Sequence, residues 1–193
     1  MKKLVLFVAI VALVFLVVSP SQAQKQKMLV GPGVDVLIPM GTFGDAVSIG
    51  FGGDGRFQYN FTPVVAGVGE VGYFVWSGKT VAGVDLPNFK GFTIRVGGKY
   101  YFMPEGAFRV YGMFKIGLFF ASVTAPTIQT PLGPIGGGTA SETDFCYVPE
   151  VGAEVPAGKM NVDFSIRYDG IATTGESSGS IGFRVGLNFP IGQ

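Results

Sequence analysis

Apolar and polar residues alternate at period two in eight separate stretches of this chain, and that period is the mark of a strand with unlike faces. The clearest stretch is RFQYNF, Arg56 to Phe61, where a charged or amide side chain alternates with an aromatic one. In a soluble sandwich Phe57, Tyr59 and Phe61 would point into a core, whereas in a membrane barrel the same three would point out into lipid. What the chain does depends on which face meets water.

Each segment has a bulky apolar face. Met28 to Pro39 sets Val30, Val34, Val36 and Ile38 against Gly31, Gly33 and Asp35, and Ala46 to Phe61 is expected to form one long strand in a single phase, with Val47, Ile49, Phe51, Phe57, Tyr59 and Phe61 against Arg56, Gln58 and Asn60. Val64 to Trp76 places Val65, Val71, Tyr73 and Val75 opposite Glu70, and Phe89 to Phe102 places Phe92, Ile94, Val96 and Tyr100 opposite Arg95 and Lys99. Phe108 to Val123 opposes Phe114, Ile116 and Leu118 to Arg109 and Lys115, while Thr143 to Val155 opposes Phe145, Tyr147 and Val151 to Asp144, Glu150 and Glu154. The seventh segment sets Phe164, Ile166 and Tyr168 against Asp163 and Arg167, and the eighth sets Ile181, Phe183, Val185 and Phe189 against Arg184 and Asn188. Each is long enough to cross a bilayer when tilted, which takes about 9–11 residues. After the first 23 residues no helical periodicity is visible, because Gly or Pro interrupts nearly every window long enough to show one.

Composition decides where the apolar faces go. Charged residues make up 14% of the chain, against roughly 25% in soluble domains, and 31 of 193 residues are Gly. So little charge cannot cover a soluble surface, and eight apolar faces cannot all be covered by other parts of the same chain; lipid covers them instead. The connections agree. Thr62-Pro63, PEGA from Pro104 and PAGK from Pro156 are tight turns, whereas GTFGDA, SGKTVAGVDLPN, the segment from Thr124 to Ser141, and GIATTGESSG are longer. Short joins at one end and long joins at the other are how outer-membrane barrels are built, and an even strand number returns both termini to the short-turn side. Two interfacial girdles are expected, with Tyr59, Tyr100, Tyr101, Phe102 and Phe189 at the short turns and Tyr73, Trp76 and Tyr168 at the long loops. The expected fold is all-β: an eight-stranded antiparallel up-and-down transmembrane β-barrel.

A leader precedes it. Lys2 and Lys3, an apolar run from Leu4 to Val18, and small residues at Ser21 and Ala23 have the order of a cleavable signal peptide, so residues 1–23 are expected to be removed, leaving 24–193 as the barrel domain. Loss of those two lysines leaves 12 basic against 13 acidic residues, a net charge of −1, and nothing calls for nucleic acid. The one Cys, Cys146, forms no internal disulfide and reads as a small structural filler.

Chemistry is mostly absent. GFGGDG, Gly50 to Gly55, has the letters of a dinucleotide fingerprint but opens no helix, and GESSG around Ser177 has the letters of a nucleophile elbow without the strand-to-helix turn. The chain contains no His, which rules out a Ser-His-Asp hydrolase. No cofactor or metal is expected, the loop acids Asp45, Asp85 and Glu176 reading as surface solvation. Asn60 fits a glycosylation sequon in letters only, because it is expected to point inside the barrel.

GRFQYNFTPVVAGVGEVGYF, VGGKYYFMPEGAFRVYGMFKIGLFF and the closing SGSIGFRVGLNFPIG resemble the porin-like outer-membrane β-barrel domain family of Gram-negative bacteria, specifically the small OmpA/OmpX-type barrels, over essentially the whole mature chain. The resemblance implies residence in the outer membrane after insertion by the barrel-assembly machinery. Members of that family usually finish on an aromatic residue, whereas here the last aromatic is Phe189, followed by PIGQ.

The informative constellation is the set of charges on the inner faces: Asp35, Glu70, Glu150 and Asp163 with Arg56, Arg95, Lys99, Arg109, Lys115, Arg167 and Arg184. A buried unpaired ion costs several kcal/mol, so these are expected to pair across a lumen that eight strands leave just wide enough for side chains to fill. The leading expectation is therefore a non-enzymatic barrel with a plugged interior, serving envelope structure or surface adhesion through its loops. The alternative is a narrow channel, or a conduit for small hydrophobic solutes that uses the inward-facing Phe74, Met113 and Phe119 at the loop end. Ile128, Leu132 and Ile135, in a Pro/Gly-rich loop, are the residues expected to meet a surface or host ligand.

Overall fold

The computed structural model describes residues 27–81, 84–130, 133–172 and 177–191; the expected leader lies outside the described residues. Eight strands form the barrel: β1 (Met28–Met40), β2 (Val47–Asn60), β3 (Val65–Gly78), β4 (Phe89–Tyr101), β5 (Arg109–Thr130), β6 (Gly133–Ala157), β7 (Met160–Ala172) and β8 (Ser177–Ile191). Each pairs antiparallel with its neighbours in sequence, and β1 closes the circle on β8 through pairs such as Val34↔Val185 and Asp35↔Arg184. Closure leaves the barrel without a free sheet edge.

The pleat sorts the side chains as the alternation requires. Outward-facing Val34, Phe51, Val96 and Val151 are exposed, Val34 by 66%, whereas the inward-facing Arg56 and Arg95 are 1% and 2% exposed. RFQYNF divides the same way: Phe57 and Phe61 are exposed, and Arg56 and Gln58 are buried.

Adjacent strands come very close at a few inward-facing glycines. A Cβ at Gly117 would stand 2.0 Å from the Ile94 carbonyl oxygen, and one at Gly97 would stand 2.1 Å from that of Phe114. Backbone at that distance cannot step aside as a side-chain tip can. Gly117→Ala is therefore expected to lose about 1–3 kcal/mol of stability, the usual cost of overpacking. An unchanged urea unfolding midpoint in detergent micelles would refute this.

Several expectations are corrected. The ladder shifts register between Val47 and Gly50, so Val47 turns inward and is buried; the second segment does not keep one phase. Trp76 and Tyr101 are 2% and 1% exposed and point into the barrel, so they belong to neither girdle, whereas Tyr73, Tyr100, Phe102 and Phe189 do face outward. GTFGDA is not an irregular loop but a short helix, α1 (Gly41–Ala46), too brief for helical periodicity to register in the sequence. The join after β3 contains a two-residue antiparallel pairing, Thr80–Val81 with Val84–Asp85. Most of the expected loop from Thr124 to Ser141 is paired strand: β5 and β6 continue past the barrel as a ribbon, with Val123↔Ala140, Thr127↔Gly136 and Ile128↔Ile135 in register. The last long join is likewise mostly paired, through Gly179↔Gly170 and Ser177↔Ala172.

Candidate functional site

The interior has three layers of different chemistry. At the loop end, an apolar cluster contains Leu37, Val47, Phe74, Trp76, Phe119 and Cys146, with Phe43 of α1 and Phe89 packed against it. At the short-turn end, Ala66, Val68, Tyr101, Tyr111 and Met113 form a second cluster. Met113 thus sits at the opposite end from Phe74 and Phe119, and the three do not form one pocket.

The charges fill the interior between and beside these clusters, and all eleven expected residues belong to them, Arg109 from the short-turn rim as the first residue of β5. Arg56 donates from Nη2 to Glu70 at 2.8 Å and to Glu150 at 3.1 Å, bridging strands far apart in sequence. Lys115 Nζ lies 2.6 Å from Glu70 and 2.8 Å from Glu150. Arg95 reaches Glu70 at 3.3 Å, and Arg167 reaches Asp35 at 3.1 Å and Glu70 at 3.8 Å. The Arg167–Asp35 pair is close but not aligned as a hydrogen bond, since neither Asp35 oxygen has a hydrogen-bond partner. Arg184 donates to Asp163 at 2.9 Å. Lys99 and Arg109 both pair with one carboxylate, Glu154.

Three carboxylates outside the expected network complete it. Asp54 accepts a two-pronged bond from Arg184, Nε to Oδ2 and Nη2 to Oδ1, each at 2.7 Å. Asp169 pairs with Arg95 at 2.7 Å and with Arg167 at 2.8 Å. Glu154 also accepts from the Tyr101 hydroxyl at 3.0 Å. Asp54 stands two residues before Arg56 and Asp169 two residues after Arg167, so alternation alone puts both on the inner face. The expected set carried four carboxylates against seven cations; with these three, the described interior network holds seven of each, Asp35, Asp54, Glu70, Glu150, Glu154, Asp163 and Asp169 against Arg56, Arg95, Lys99, Arg109, Lys115, Arg167 and Arg184.

Further hydrogen bonds, some of them charge-assisted, tie the network to the tyrosine layer. Gln58 Nε2 donates to the Tyr101 hydroxyl at 2.8 Å and to Asn60 Oδ1 at 2.7 Å, and Lys99 donates to Gln58 Oε1 at 3.1 Å. The Tyr111 hydroxyl donates to Asp163 at 2.9 Å, while Lys99 Nζ sits 3.7 Å from the centre of the Tyr111 ring. This aromatic face supplies a further favourable environment for a buried cation.

Of the residues expected to meet a ligand, Ile128 and Ile135 lie directly across the ribbon from each other, and Leu132 lies outside the described residues. Among the described residues no group of His, Cys, Asp and Glu could hold a metal ion.

A closed up-and-down barrel with an apolar exterior and charges on its inner faces defines an integral outer-membrane β-barrel protein. Residues 8–189 match the family model described as the outer membrane protein beta-barrel domain; the chain belongs to that family and resides in the outer membrane. Among solved structures, it is similar to Neisserial surface protein A, with 16% identity, a TM-score of 0.65, and coverage of 86% of this chain and 97% of that one. It is also similar to the outer membrane protein OprG of Pseudomonas aeruginosa, with 12% identity, a TM-score of 0.50, and coverage of 85% and 96%. No curated protein matches it in sequence.

Proposed function

We propose that this protein is a non-enzymatic outer-membrane barrel whose interior is a plug, and that its work is envelope structure or surface adhesion through the β5–β6 ribbon. The observation that carries this reading is the pairing of seven carboxylates with seven cations across the lumen, every one of them buried except the half-buried Arg109. Glu70, for example, lies between Arg56, Arg95, Lys115 and Arg167, so no row of like charge is left to line an ion path. The apolar layer at the loop end adds a second closure.

The ribbon supports the adhesive half of the reading. Among the described residues, β4 stops pairing with β5 at Phe89↔Val123 and β6 meets β7 only from Phe145↔Ala172 onward, so strand pairing of 124–130 and 133–144 is across the hairpin alone. Among the described residues, both outer edges then lack a strand partner, a template to which an extended segment of another protein can add.

Two measurements test the two halves. Refolded wild-type protein in a planar bilayer should pass no discrete current; salt-dependent steps would replace the plug with a narrow channel. Deleting residues 128–138 should abolish attachment of expressing cells to host or matrix surfaces while the heat-modifiable barrel band persists. Unchanged attachment would reject the ribbon's role.

A further inference from the structure

α1 lies across the barrel mouth between two breaks in regular structure. At its first residue, Gly41 adopts a left-handed φ of 60°, and a Cβ there would meet nothing within 4 Å. After it, the β2 ladder slips register between Val47 and Gly50. The helix has no side-chain N-cap and contains no fully buried residue. Its Phe43 ring enters the mouth, edge-on to Trp76 at 5.6 Å and to Phe89 at 5.2 Å, and Phe89 in turn stacks on Phe119 at 5.9 Å. Lys79 holds the helix from outside through two bonds: its backbone N–H donates to the Ala46 carbonyl at 3.0 Å, and its Nζ donates to the Gly44 carbonyl.

The geometry points to a lid. We infer that α1 lifts as a unit about Gly41 and the register slip, with Phe43 as its stopper and the Lys79 side chain as its latch. Lifting opens the loop end to the external medium as far as Trp76. A short segment bounded by backbone breaks, with no fully buried residue and with Phe43 and Ala46 packed on the apolar cluster, is the kind of unit that opens locally, without the barrel opening. The inference deepens the plugged-barrel reading by making the outermost layer of the plug movable.

The chain supplies both reporters, since Trp76 is its single Trp and Cys146 its single Cys. Trp76 is 2% exposed directly beneath Phe43, and Cys146 is 0% exposed in the same apolar cluster. In refolded protein in detergent micelles, acrylamide quenching of Trp76 is measured alongside the reaction of Cys146 with Ellman's reagent. Phe43→Ala removes the stopper, whereas Lys79→Met removes the latch and leaves every ring in place. Both variants are expected to raise the Trp76 quenching constant about threefold or more, with Cys146 as protected as in the wild type, as local opening requires. Wild-type quenching in Lys79→Met would make Phe43 a fixed wedge and overturn the lid. A Cys146 that becomes reactive in either variant would also overturn it, since the barrel itself would then have loosened. Bilayer conductance of the wild type bears on the plug alone, so the two readings fail separately.

Discussion

Glu70→Gln is expected to destabilise the barrel by about 3–5 kcal/mol, the cost of leaving buried charge without its partner. Glu70 is buried with its carboxylate against Arg56, Arg95 and Lys115, at 2.8, 3.3 and 2.6 Å, and an amide of the same shape leaves those cations in excess by one charge. The cations cannot turn to water, because the strands around them close the barrel. Urea unfolding followed by Trp76 fluorescence in detergent micelles reads the loss directly. The double variant Glu70→Gln/Lys115→Met restores neutrality, since Lys115 pairs only with Glu70 and Glu150 among the described ion pairs. It should therefore be more stable than the sum of the two single losses predicts, by about 0.5–3 kcal/mol, the range found for directly coupled residues. A single-variant loss under about 1 kcal/mol, as for an exposed pair, would mean that water reaches the network.

Such a network is weak evidence for stability in itself, because well-packed apolar residues can replace buried ion pairs at no cost or with a gain. Its evident role is register. Asp35 pairs across the closure with Arg184 in the ladder, and Arg56 with Glu70 across β2 and β3, so slipping either pair of strands by one residue would turn these ions into the lipid. The carboxylates and cations come from all eight strands, which makes the correct arrangement the one in which every buried charge is matched.

Most of this architecture was legible because period-two alternation has few causes. Once the outer phase of RFQYNF was set, the inner phase followed for Arg56 and Gln58, and the same rule would have placed Asp54, hidden among glycines in GGDG. The same rule reaches Tyr101, which shares its phase with Arg95 and Lys99; phase and not proximity to a turn decides that its ring points inward. Trp76 shares the inner phase with Glu70 and Phe74 in the same way. Other features left no such trace. A register slip as at Val47 depends on the partner strand, and a six-residue helix is shorter than two turns. The ribbon pairs segments rich in Pro, Gly and Thr, a composition that reads as loop until a partner supplies the ladder.

Val96→Arg should cost about 2–4 kcal/mol in lipid vesicles, the penalty for a cation on the outer face near the bilayer midplane. Val96 lies in the middle of β4, 59% exposed on the face that carries Phe92 and Ile94. Phe102→Arg, close to the short turn and equally outward at 63%, should cost no more than about 1 kcal/mol, because the penalty fades toward the interface. This contrast separates lipid from water. Were the outer face wet, both substitutions would add charge to exposed surface and fall within about 0.5 kcal/mol of the wild type. The difference is read from urea unfolding midpoints of the two variants in the same vesicles. Equal midpoints would remove the lipid from the account, and with it the only solvent that lets eight apolar faces point outward.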